Sequence, residues 1–145
     1  MNKKGFTLIE LLGVIVILSI IMLIAIPNVV STLEKSKKDT YIADAKKLVS
    51  LVQYEIRKGN VTKPTATTTT TVELGELSTD QIVRDPDGNP YSLNGSYVIV
   101  KVENGYLVYI VQLIAKVGST YRGIVETNVE NLDGDDRYTY YSNSV

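Results

Sequence analysis

Gly5, Phe6 and Glu10 are the residues whose types and spacing best suit them to chemistry. Cutting the chain after Gly5 would free an α-amine on Phe6, a cation at the tip of a long apolar run. Glu10 stands four residues further on, one helical turn away. In a bundle of identical helices staggered along an axis, the carboxylate of one copy can meet the amine of the next. That pairing would offset the desolvation of both charges and fix the axial register. A buried ion pair is seldom a large net stabiliser, but loss of one partner leaves a costly lone charge. An ionised glutamate in a membrane-length segment costs about 2.5–3.5 kcal/mol at mid-bilayer and less near the interface, so Glu10 calls for a partner.

The element that positions these groups is the run from Phe6 to Ile26, 21 residues broken early by Glu10. As a helix it spans about 31 Å, close to the roughly 30 Å of a bilayer core. A secretory signal peptide would have a shorter apolar stretch and a small-x-small cleavage site. Here the run ends in Ala25-Ile26-Pro27-Asn28. A plain signal anchor fits the length but leaves Glu10 unexplained. Pro27 removes one helical hydrogen bond and predicts a kink. Gly13 and Ser19 are small residues that permit close approach between packed helices.

Composition removes several classes of function. The chain has 145 residues, 15 basic and 16 acidic groups, and neither histidine nor cysteine. Near-zero net charge offers nucleic acid no electrostatic footprint. Without histidine or cysteine there is no Ser-His-Asp or Cys-His catalytic set, no disulfide, and only carboxylates for a zinc site. No pair of carboxylates is placed for acid–base work, so an enzyme is not expected.

Gly5-Phe6-Thr7-Leu8-Ile9-Glu10 after Lys3-Lys4 resembles the cleavage and assembly motif of type IV prepilins, the pilin and pseudopilin family. Glycine, aromatic, glutamate and apolar run occur together at that family's spacing, over about residues 1–35. The resemblance implies that a prepilin peptidase cuts between Gly5 and Phe6 and N-methylates Phe6. It also implies that Glu10 sets the register of a filament and that Pro27 is the helix-kinking proline of many pilins. Many pilins carry a second glycine in this stretch where Ser19 stands here.

Beyond Pro27 the periodicity changes. Tyr41, Ala45, Leu48, Val52 and Ile56, widened by Ile42 and Val49, form an apolar stripe at helical spacing, and Gly59-Asn60 signal a stop. The threonine-rich segment from Thr62 to Thr71 reads as a surface loop or an edge strand. Asn104-Gly105 between two β-rich runs, Tyr97–Glu103 and Tyr106–Leu113, is a strong hairpin signal. Tyr121–Thr127 and Arg137–Tyr141 supply two further strands. The fold expected is α+β: one long helix, half transmembrane and half packed on an antiparallel sheet of three to four strands. The divisions are a leader (1–5), a hydrophobic helix (6–30), its amphipathic continuation (31–59) and a β-rich head (60–145).

Two acidic segments invite a calcium reading. Asp85-Pro86-Asp87-Gly88-Asn89-Pro90-Tyr91 fails as an EF-hand loop, since Pro90 replaces the glycine and Ser96 the glutamate. It resembles a structural turn of major pseudopilins and pilins, and its residue types are those of a turn. Asp133, Asp135 and Asp136 flank Gly134 and are the better metal candidates, although a solvated acidic turn is the favoured reading and no cofactor is expected.

The expectation is a structural subunit held in the cytoplasmic membrane with its N-terminus inside, trimmed by prepilin peptidase, and polymerised by an assembly machine into a homo-oligomeric surface filament. Membrane lipid is its partner before assembly, and no nucleic acid is. Two alternatives stand beside it. One is a pseudopilin of a type II secretion or DNA-uptake system, and the other a monomeric membrane-anchored binding module.

Overall fold

The computed structural model describes residues 5–132 and, as backbone, 138–141. Lys3, Lys4, Asp133, Asp135 and Asp136 lie outside the described residues. The chain falls into two units, Met1–Ser36 and Lys37–Val145. The first helix, α1 (Leu8–Lys58), contributes to both.

In the first unit every described residue is exposed. Leu8 is 86% exposed, Ile9 75% and Leu23 76%, so this helix has the length and composition of a membrane span and buries none of it within the chain. The polar side chains between Phe6 and Ile26 are Thr7, Glu10 and Ser19. Each is hydrogen-bonded within its own segment, Ser19 through its Oγ to the Ile15 carbonyl at 2.7 Å and the other two with each other. Asn28 and Thr32 likewise donate to the carbonyls of Ile24 and Asn28. In lipid such back-bonding spares a polar group the search for an external partner. Pro27 lies inside the helix.

In the second unit, α1 buries Tyr41, Ala45, Leu48, Val49 and Val52, with Ile42 and Ile56 half-buried beside them. The stripe falls where its periodicity predicts. The helix ends in a Schellman turn. Gly59 takes φ +82°, its N–H reaches the Ile56 carbonyl, and the Asn60 N–H reaches Glu55. Only glycine adopts that left-handed position at little cost.

The sheet is antiparallel and runs in sequence order β1-β2-β3-β4-β5. Its strands are β1 (Thr70–Glu73), β2 (Tyr97–Glu103), β3 (Tyr106–Val117), β4 (Thr120–Asn128) and β5 (Tyr138–Tyr141). The expected α+β fold is present, and the sheet is one strand larger than the three to four expected. The four strands read from the sequence are all there. The addition is β1, where the end of the threonine run pairs Thr70 with Val100 and Glu73 with Tyr97 at one edge. Val98, Val100, Val111, Leu113, Ala115 and Ile124 belong to the same buried cluster as the helix stripe. Asn104 (φ +51°) and Gly105 (φ +83°) form the two-residue β2–β3 turn that the sequence predicts.

Gly123 on β4 has a steric reason to be glycine. A Cβ there would collide with the carbonyl oxygen of Leu113 and press on the backbone of Ile114 at 2.9 Å. Gly123→Ala should therefore force β3 and β4 apart. We expect a loss of about 2–4 kcal/mol, read as a lower melting temperature of the head with α1 retained by circular dichroism.

Candidate processing and assembly site

Gly5, Phe6 and Thr7 precede the helix without regular structure, and all three are exposed. The fold makes no packing demand for glycine at position 5: among the described residues, a Cβ there would meet nothing within 4 Å. Thr7 is the N-cap of α1. Its Oγ1 accepts from the Glu10 N–H at 3.3 Å, while the Glu10 carboxylate accepts from the Thr7 N–H at 2.8 Å and from the Thr7 hydroxyl at 2.7 Å. This is a reciprocal capping box, which satisfies N–H groups that a helix start otherwise leaves without partners.

Glu10 thus has a partner within its own chain, one that reading it for its charge alone misses. The signal is local and present in the sequence, since Thr-x-x-Glu ahead of an apolar run is the capping-box pattern. The bonds hold the carboxylate back over the first turn, beside the backbone of Phe6-Thr7. One carboxylate oxygen carries both bonds from Thr7, which leaves the other open to a further donor.

The head carries a second polar constellation, built on the Asp85–Tyr91 turn. Asp85 is 5% exposed. Its Oδ1 accepts from the backbone of Asp87 and Asn89 at 3.0 and 2.7 Å, and its Oδ2 from the Tyr41 hydroxyl at 2.7 Å and the Asn89 amide at 3.0 Å. Asp87 reaches out from the same turn to Lys37 at 2.7 Å and to Arg122 on β4 at 2.5 Å. Tyr91 donates to Asp44 at 2.9 Å and meets Tyr41 edge-on, with ring centroids 6.0 Å apart. The turn is a clasp between helix and sheet. Both oxygens of Asp85 are occupied by protein donors, which suits a structural turn rather than a cation site.

The clasp makes stability depend on pH at both ends. Burial alone would raise the Asp85 carboxyl, but donors from Asn89, Tyr41 and Asp87 outweigh it and hold it below the usual range. Burial, reinforced by Asp85, raises the Tyr41 phenol, and burial with Asp44 raises that of Tyr91. A depressed carboxyl contributes stability above its unfolded value of about 3.9, lost as pH falls through the folded value. A raised phenol contributes stability below about pH 10, lost as pH rises further. Melting temperatures should therefore be flat from about pH 5 to 9 and fall on either side. Tyr91→Phe should soften the alkaline fall.

Among the described residues no group of three or more histidine, cysteine, aspartate or glutamate side chains could hold a metal ion. The candidates Asp133, Asp135 and Asp136 lie outside that set.

A long N-terminal helix, apolar in its first half and followed in the chain by a small antiparallel sheet, with a processing-type N-terminus, has the features of a pilin- or pseudopilin-like subunit. Comparison with known proteins agrees. Residues 1–26 carry the family motif described as the prokaryotic N-terminal methylation motif. The chain is also similar to a ComG operon protein 3 homolog of Bacillus licheniformis, with 43% identity over 56 residues, 39% of this chain and 54% of the relative. The chain thus spans about half the length of that curated relative. No solved structure matches it.

Proposed function

We propose that the chain is the structural subunit of a type IV pilus, without enzymatic activity of its own. The observation that carries this reading is the juxtaposition of an exposed, non-helical Gly5-Phe6 bond with a capped Glu10 at the head of a helix whose apolar first half buries nothing within its chain. A peptidase needs an accessible segment outside regular structure, and residues 5–7 offer one. The glycine at position 5 answers no need of the fold, which points to recognition by something outside the chain.

Prepilin peptidase cuts between Gly5 and Phe6 and methylates the new amine of Phe6. Glu10 then receives the amine of a neighbouring copy on its open oxygen, with Thr7 holding the carboxylate in place. The subunit waits in the cytoplasmic membrane with its N-terminus inside. The assembly machinery extracts it into a helical homo-oligomer, where sister helices replace lipid and close packing holds the fibre. Pro27 kinks the helix, and the divisions at 1–5, 6–30, 31–59 and 60–145 are leader, filament-core helix, its amphipathic continuation and β-rich head.

N-terminal sequencing of the membrane-extracted protein tests this directly. A start at Phe6, with or without a methyl group, is expected. An intact leader with no polymer would return the chain to a monomeric anchored binding module. The likeness to a ComG operon protein 3 homolog favours a second reading, a pseudopilin of a DNA-uptake or type II secretion system. Long filaments sheared from cells support the pilus, while a transformation or secretion defect in a deletion strain without filaments supports the pseudopilus.

A further inference from the structure

The chain contains two Asn-Gly pairs, Asn94-Gly95 and Asn104-Gly105, and the fold treats them differently. Asn104 and Gly105 form the exposed tip of the β2–β3 hairpin. Neither the Asn104 side chain nor the Gly105 N–H has a hydrogen-bond partner among the described residues. A Cβ on Gly105 would meet nothing within 4 Å. Gly95 is buried instead. Its N–H donates to Ser92 Oγ at 3.1 Å, and its carbonyl accepts from the Gln112 amide at 3.0 Å. A Cβ there would press on Ser92 Oγ at 2.8 Å and on Ile114 Cδ1 at 2.9 Å.

We propose that Asn104 is a site of spontaneous deamidation and that Asn94, though followed by the same residue, is protected by the fold. The Gly105 amide nitrogen loses its proton and attacks Cγ of Asn104. A C–N bond forms, and the side-chain nitrogen leaves as ammonia, taking up a proton. Water then opens the succinimide at either carbonyl, giving aspartate or isoaspartate. In sum, an amide and water become a carboxylic acid and ammonia, with no change of oxidation state. Glycine favours the step because no side chain hinders the attacking nitrogen, and the open turn lets the two atoms approach. At Gly95 the bond to Ser92 must first break and the packed loop must shift.

The product alters the hairpin tip in two ways. A new carboxylate appears beside Glu103, which already holds Lys101 at 2.7 Å, and like charges at adjacent positions repel. Isoaspartate also adds a backbone atom to a two-residue turn whose twist matches its strands. Nearby Tyr106, 77% exposed, would then stand on a more acidic and looser tip. The inference does not depend on which filament the chain builds.

The test is incubation of the full chain in detergent at mildly alkaline pH, followed by tryptic mapping. Cleavage after Arg84, Lys101 and Lys116 places Asn94 and Asn104 in separate peptides. The peptide of residues 102–116 should gain the mass difference of OH for NH2 with time. That of residues 85–101 should lag by about tenfold or more, the effect of one hydrogen bond that must break first. In denaturant the two rates should converge, because the local sequence is then all that differs. Equal rates in the folded chain, or no change in residues 102–116 while folded, would overturn the proposal.

Discussion

Glu10→Gln should leave the subunit inserted, folded and cleaved, yet reduce filament yield at least about tenfold. Glutamine keeps an oxygen that can accept from Thr7, so the helix cap largely survives, and the head is untouched. What disappears is the negative charge available to an incoming amine. Removing one member of a buried ion pair costs about 3–5 kcal/mol, and each 1.4 kcal/mol is a factor of ten in an equilibrium constant. The measurement is the ratio of sheared filament to membrane-retained subunit, with N-terminal sequencing to show that cleavage proceeds. Thr7→Ala separates the two roles of the site. It removes the cap, worth about 1 kcal/mol, but keeps the charge, so its filament yield should fall much less. Normal filaments from Glu10→Gln would mean that the carboxylate serves the helix start and nothing beyond it.

The second large effect is expected at Asp85→Ala. The substitution deprives the Tyr41 hydroxyl, the Asn89 amide and two backbone N–H groups of their acceptor in a nearly buried site. Each buried donor left without a partner costs about 1–3 kcal/mol. Some will find water, so the net loss should be about 3–5 kcal/mol, a large part of the 5–15 kcal/mol that stabilises a small domain. The melting temperature of the head should drop by roughly 15 °C or more, with the apolar half of α1 unaffected. Asp85→Asn should fall between, because it keeps one acceptor and sets an NH2 group against other donors. A melting temperature within a few degrees of the parent for Asp85→Ala would show that the clasp is held by Asp87, Lys37 and Arg122 alone.

These two sites differ in how far they could be read from sequence. The helix stripe from Tyr41 to Ile56, the stop at Gly59 and the Asn104-Gly105 hairpin were legible because each rests on local periodicity or backbone preference. The Thr7–Glu10 box was equally local, yet Glu10 draws attention for its charge, and the hydroxyl three residues before it is easily passed over. The Asp85 turn was legible as a turn and opaque as a clasp. Its partner Tyr41 lies 44 residues away, and Arg122 lies 35 residues from Asp87. No local pattern encodes such a meeting. β1 was ambiguous for a related reason, since a run of threonines has no alternation to show a face. It becomes a strand through pairing with β2, a property of its neighbour as much as of itself.

The capping box has a consequence for timing. Because Thr7 and Glu10 close the first turn between themselves, nothing before Phe6 is needed to start the helix. Removing the leader would then leave the shape of α1 as it was. It would take away Lys3 and Lys4 and set one new cation on Phe6, next to the Thr7 N–H that the carboxylate already holds. Maturation on this view is a subtraction of charge from a helix whose first turn is already closed. Its speed would be set by the encounter with the protease, with no refolding step to wait for.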